Sequence, residues 1–324
     1  MKQQDMQDTR TQARARIEQR RRRTARRRRR KRLALGAVCL CAVALCALVV
    51  SAHLTTVLPA DIPGPTGQQS DGNGAGTGDP VDEKYDNVDI TPGSGDSEEL
   101  LALKQLAAEE PRAKKIVDRF AEYPEDLIAL VLKNPETVEY VADYPDNSTK
   151  SPQIDLSAEA SSKTIPLLLQ WDERWGYQSY GSGLIGWTGC GPTCMSMVAL
   201  YFTGNDSYDP GTVAKWAEEN GYYSNGSGTA WLFFSEGSAH FGLRAKELPL
   251  VKQYMLNALD EGKAVVCAMG PGDFTTNGHY IVLTGYDDEG FTVNDPNSPK
   301  RSAQHWTYET LSSQISNLWA VGKA

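Results

Sequence analysis

Cysteine is scarce in this sequence: there are six in 324 residues. Cys39, Cys41 and Cys46 fall inside one apolar run, where they act as small hydrophobic residues. Only Cys190, Cys194 and Cys267 lie beyond it, too few for a disulfide framework, and an odd number points to a free thiol. Histidine is equally sparse, at four. Structural zinc draws on paired Cys/His clusters giving four ligands, and Cys190 and Cys194 are the one such pair. No metal and no cofactor are therefore expected. The chain also lacks heptads, long repeats and a G-x-x-x-x-G-K-[ST] phosphate loop, which excludes coiled-coil, solenoid and P-loop nucleotide-hydrolysing classes.

Acidic residues are few at one end of the chain, and basic residues are outnumbered in the rest. Residues 1–32 carry 15 Lys and Arg against three acids, whereas the rest of the chain carries 18 basic and 38 acidic residues, a formal charge of −20. From Leu33 to Ala60 there is no Lys, Arg, Asp or Glu. A bilayer crossing takes about 20 apolar residues, so residues 33–58 are expected to form a transmembrane helix. Arginines stop directly against it, which assigns residues 1–32 to the cytosol and everything after the span to the outside. The competing reading is a secretory signal cleaved near Val50-Ser51-Ala52; either way the C-terminal part is exported. The arginines attract anionic membrane lipids, at about 1 kcal/mol per basic residue near the surface. No folded basic domain or interleaved aromatics accompany them, so no nucleic-acid partner is expected.

Composition divides the exported chain. Residues 59–98, rich in Gly, Pro, Ser and Asp, read as a flexible linker. Residues 99–145 read as a helical spacer, because Glu110-Pro111, Tyr123-Pro124-Glu125 and Asn134-Pro135-Glu136 each place proline near a helix start with acids in the first turn. A prosegment or a docking module would look the same. A polar stretch, 146–162, reads as a second linker, and residues 163–324 suffice for one core. Helices are expected first in that region: Pro192 to Phe202 ending at Gly204, Gly211 to Asn220 after Asp209-Pro210, Thr229 to Ser238, and Val251 to Leu259. Strands follow at Ala264 to Met269, His279 to Tyr286 and Phe291 to Asn294. Helices followed by strands without regular alternation indicate an α+β fold.

One stretch carries chemistry. In "TGCGPTCMSM", Pro192 suits a first helical turn, which leaves Cys190 at the helix start, where unpaired N–H groups and the positive dipole end stabilise a thiolate. Gly189 and Gly191 permit close approach of a substrate backbone. Cys194 points along the same helix toward the core, and Cys267, inside "AVVCAMG", reads as strand packing. A sulfur nucleophile needs a base, and His240, His279 and His305 are available. His279 opens a strand-turn-strand pattern that ends at Asp295. An odd turn loop puts Asp295 on the face of His279, with a five-residue loop pairing it with Ile281; an even loop turns it away unless a bulge intervenes. Neither His240 nor His305 has an acid at comparable spacing.

Taken together, "QWDERWGYQSYGSGLIGWTGCGPTCMSM" and "GHYIVLTGYDDEGFTVNDPN" closely resemble papain-like cysteine peptidase family thirty-nine in its stand-alone form, from about Ile165 to the C-terminus. The resemblance implies a papain-like fold with Cys190 as nucleophile, His279 as base and Asp295 orienting the imidazole. It also implies Gln170 as the side-chain donor of an oxyanion hole. Gln170 stands 20 residues before Cys190, farther than in the transporter-fused members. Relatives that process double-glycine leaders do so with an attached ABC transporter, and this chain has no nucleotide-binding motif, so only the acyl-transfer chemistry carries over. The implied activity is extracytoplasmic hydrolysis of a peptide or protein. A catalytically inactive ectodomain that binds peptides or wall components in the same cleft is the alternative.

Overall fold

A computed structural model describes residues 83–226 and 228–324. The basic segment, the transmembrane helix read over 33–58 and the first part of the 59–98 linker lie outside the described residues. Among the described residues no helix is long and apolar enough to cross a membrane.

The architecture is α+β. Its centre is a five-stranded antiparallel sheet of β1 (Leu243–Glu247), β2 (Ala264–Met269), β3 (His279–Tyr286), β4 (Phe291–Asn294) and β5 (Ile315–Lys323), ordered β1-β5-β2-β3-β4. Strands β2, β3 and β4 have the bounds their sequence patterns predict. The other two escape pattern reading for different reasons. β5 is buried along most of its length and shows no alternation, while β1 is a short edge strand carrying Arg244, Lys246 and Glu247.

Helices α1 (Glu98–Glu109), α2 (Ala113–Asp118), α3 (Glu125–Lys133) and α4 (Val138–Asn147) precede α5 (Cys190–Thr203), α6 (Pro210–Glu219), α7 (Lys252–Asp260) and the single turn α8 (Pro299–Ser302). α5 begins at Cys190, two residues earlier than expected, with Pro192 third. Proline is tolerated there because first-turn N–H groups have no intrahelical acceptor. Gly204 ends the helix at φ 67, donating its N–H to Leu200 O. Every residue from Gly191 to Leu200 is buried, so α5 runs through the core against β3 and β5. The helix expected over Thr229 to Ser238 is instead one turn, Leu232–Ser235, followed by a 3₁₀ turn, Gly237–Phe241. Phe233, Phe234 and Phe241 all pack inward there.

The segments read as linker and spacer do not hang free. Leu156, within 146–162, is 1% exposed and packs into the main core with Cys194, Trp175 and Trp319. Tyr85, near the end of the first linker, is buried as well. Helices α1 to α4 share an apolar cluster with Tyr177, Trp171, Leu184 and Trp187 of the C-terminal region. Tyr140 is the pivot of that joint. Its ring stacks on Tyr177 at 4.6 Å, its hydroxyl donates to Gly176 O at 2.8 Å, and Tyr177 donates back to Tyr140 O at 2.7 Å. A Cβ on Gly186 would lie 2.4 Å from the Tyr140 hydroxyl, so only glycine leaves room for this seat.

Tyr140→Ala should lower unfolding free energy by about 3–5 kcal/mol through the cavity it leaves. Tyr140→Phe should lower it by about 0.5–1.5 kcal/mol, because Gly176 O loses one of its two donors and keeps Gly186 N. Denaturant unfolding followed by tryptophan fluorescence measures both; equal stability of Tyr140→Ala and the parent would mean that the helices are not docked.

Candidate active site

His279 and Asp295 meet because of a defect in the β3–β4 hairpin. The turn, Asp287 to Gly290, has four residues, an even number that alone would send Asp295 to the other face of the sheet. The register shifts between Leu283 and Gly285: Tyr286 pairs with Phe291, but Val282 pairs with Asn294. This bulge adds one residue to β3, and the ladder then points Asp295 toward Ile281 and the His279 face. Gly290, at φ 140, closes the turn where a Cβ would lie 2.6 Å from Trp306 O.

The resulting contact is short and dry. His279 Nε2 lies 2.7 Å from Asp295 Oδ1, and Asp295 is fully buried. A carboxylate can only accept, so Nε2 carries the proton and Nδ1 is left for the thiol of Cys190. Burial disfavours the charged imidazole, but the Asp295 carboxylate, the hydrogen bond to it and the neighbouring Cys190 outweigh that and push His279 up to about 9. Burial likewise works to raise Asp295, yet His279 and Arg301 hold it below the ordinary carboxylate range.

Arg301 is the member of this site that sequence reading missed. Its Nε donates to Asp295 Oδ2 at 2.5 Å, while Asn297 N donates to Oδ1 at 2.8 Å. Both carboxylate oxygens are thereby committed and the acid cannot rotate. The only sequence signal was its place one turn after Asp295, in a Ser298-Pro299 helix start whose Ser298 hydroxyl accepts from Arg301 N.

Gln170 sits in the same place. Its backbone N–H donates to Pro296 O at 2.7 Å, beside Asp295, and its Nε2 donates to Gly186 O at 2.9 Å. The second N–H of that amide is uncommitted, and the side chain is nearly fully buried. The 19 residues between Gln170 and Cys190 include a small hairpin, Ser179–Tyr180 with Gly183–Leu184, and the turn Ile185–Thr188, which brings the two back together. Gln170, Trp187, Cys190, His279, Asn297 and Arg301 all line one pocket of about 320 Å³, which is lined also by Leu130 and Lys133 of α3 and by Asn134 just beyond it. Cys190 is partly exposed.

The remaining candidates lie elsewhere. Cys194 is buried in the core and burial holds its thiol well above the ordinary value; Cys267 is buried in β2 with the same consequence. His240 stacks on Trp216 at 4.2 Å, and His305 pairs with Asp287 and Glu289 at the hairpin turn. Among the described residues no group of three or more His, Cys, Asp or Glu side chains could hold a metal ion.

A buried helix that starts on a cysteine, laid against an antiparallel sheet that supplies histidine and aspartate, defines the papain-like class. The chain belongs to the Peptidase_C39 like family, whose profile matches residues 162–323. Among solved structures it is similar to the peptidase domain of Streptococcus ComA, a bifunctional ABC transporter involved in quorum sensing, at 19% identity and a TM-score of 0.33, covering 42% of this chain and 93% of that one. It is also similar to a Bacillus anthracis protein described as a C39-like peptidase, at 17% identity and a TM-score of 0.29, covering 53% and 99%. A search of curated proteins finds no match.

Because folding raises the His279 pKa from 6.5 to about 9, its contribution to stability is complete below pH 6.5 and is lost as pH rises through about 9. The stability gap between the parent and His279→Asn should therefore narrow steadily across that window in denaturant unfolding. A gap that widens with pH would mean that the imidazole is buried neutral.

Proposed function

We propose that this protein is a cysteine peptidase tethered to the membrane by residues 33–58, hydrolysing amide bonds outside the cytosol. The contact that carries this reading is His279 Nε2 on Asp295 Oδ1, with the other ring nitrogen left for Cys190. Nδ1 holds the proton drawn from the Cys190 thiol, and the sulfur attacks the scissile carbonyl carbon. The developing oxyanion is met by the free N–H of Gln170 and by the backbone N–H of Cys190, which as the first residue of α5 has no intrahelical acceptor. The imidazolium then protonates the leaving amine as the C–N bond breaks. Water, deprotonated by the same nitrogen, releases the acid from the thioester. Asp295 stays ionised throughout and holds the ring. The rival reading, a silent ectodomain that binds peptides or wall components, has no use for an uncommitted ring nitrogen facing a thiol.

The substrate is a peptide or protein met at the cell surface, with the basic residues 1–32 held at anionic lipid on the inner face. No nucleic acid takes part.

Cys190→Ser and His279→Ala should each cut turnover of a fluorogenic peptide library by at least about a hundredfold, Cys190→Ser with melting temperature nearly unchanged and His279→Ala with a lower one, because the buried Asp295 loses a partner. Cys194→Ser should keep most activity. Turnover that survives Cys190→Ser but not Cys194→Ser would reverse the assignment, and a parent that neither cleaves nor reacts with an electrophilic thiol probe would favour the silent domain.

A further inference from the structure

The loop after Asp295 is gripped from outside the family-matched region. Glu136, between α3 and α4, accepts from the Ser298 hydroxyl with one oxygen and from Lys300 N at 2.9 Å with the other. Ser298 is 1% exposed. The Ser298 hydroxyl in turn accepts from Arg301 N at 3.1 Å. At the far end of the same turn, Ser302 Oγ accepts from Asp295 N at 2.9 Å, and Arg301 Nε holds Oδ2. Asn134 adds a second hold: its side-chain amide donates to Asn297 O at 2.6 Å, and Asn297 N donates to Asp295 Oδ1. Lys133 reaches Thr276 in the loop that leads into His279.

We infer that Glu136 and Asn134 are positioning residues for the catalytic acid, so that α3 and α4 are a working part of the active site rather than a spacer or a removable prosegment. The inference rests on the peptidase reading above. α8 is one turn long and cannot hold its own geometry, since a single turn fixes several dihedrals for very few hydrogen bonds. Clamped by Glu136 at its start, it presents Arg301 and Ser302 to Asp295 in one orientation. Released, it lets the carboxylate rotate, and the bond that raises the His279 pKa lengthens. Supporting groups of this kind act on rate through the group they orient.

The test is the pH profile of Cys190 alkylation by iodoacetamide in the whole chain, read peptide by peptide by mass spectrometry, for the parent, Glu136→Ala, Glu136→Gln, Asn134→Ala and His279→Ala. Glu139→Ala, on α4 and paired with Arg112, is the control. Glu136→Ala should move the rising limb of the profile up by about one pH unit and slow alkylation on that limb by about tenfold. Glu136→Gln, which keeps one acceptor oxygen and the side-chain volume, should fall between it and the parent, and it carries the test if Glu136→Ala does not fold. Asn134→Ala should shift the limb the same way, and Glu139→Ala should not shift it. If His279→Ala alters the profile while Glu136→Gln and Asn134→Ala leave it unmoved, the positioning role is wrong and the peptidase reading stands. If His279→Ala itself leaves the profile unchanged, the peptidase reading fails.

Discussion

Asp295 carries a full charge with no access to water, and the rest of the site follows from the need to compensate it. A buried carboxylate without partners costs several kcal/mol and would take up a proton instead. Here it is met on one oxygen by His279 and the Asn297 N–H, and on the other by Arg301. Each partner is placed by a separate piece of chain: the bulged strand β3, the tight turn after Asp295, and the single turn α8. The same contacts that stabilise the carboxylate hold the imidazole in one tautomer and orientation, so folding and chemistry draw on one set of bonds.

This economy couples the parts of the molecule. The fold supplies a stiff platform, because α5 is buried over most of its length and shares one core with the sheet and with Phe233 and Phe234. The acid loop is short and irregular, and it is held from two sides. The helices before residue 148 stand on one of those sides and also wall the pocket at Leu130, Lys133 and Asn134. On the peptidase reading, a substrate in that pocket would meet both the imidazole and the segment that steadies its partner.

Much of the core chemistry was readable from local pattern. A glycine-flanked cysteine ahead of a proline and an apolar run marked the start of α5, and three of the five strands kept the bounds their β-branched and aromatic runs suggested. The hairpin could be taken only to a branch point, since an even turn and an odd turn put Asp295 on opposite faces. The four-residue turn with a bulge at Thr284 resolved it, and a bulge of that kind depends on cross-strand packing that no short window contains. Arg301 was invisible for a similar reason. Its partner is six residues away through a turn whose geometry is held by Glu136, 165 positions earlier in the chain.

Composition and spacing alone determined the scarcity of thiols, the opposite charge of the two ends, the order of Cys190, His279 and Asp295, and the α+β class, because each is a property of residues near one another or of sums over the chain. Tertiary structure decided which oxygen of Asp295 meets which cation, how Gln170 returns to Cys190 across 20 residues, and that helices α1 to α4 lie against the region that bears the site. Those outcomes depend on long-range packing. Tyr140 fits only where Gly176 and Gly186 leave space, and a fully buried Leu156 gives a polar stretch its anchor. The free energy of such contacts comes from surfaces that meet only after the chain has folded, so no local reading of the residues contains it.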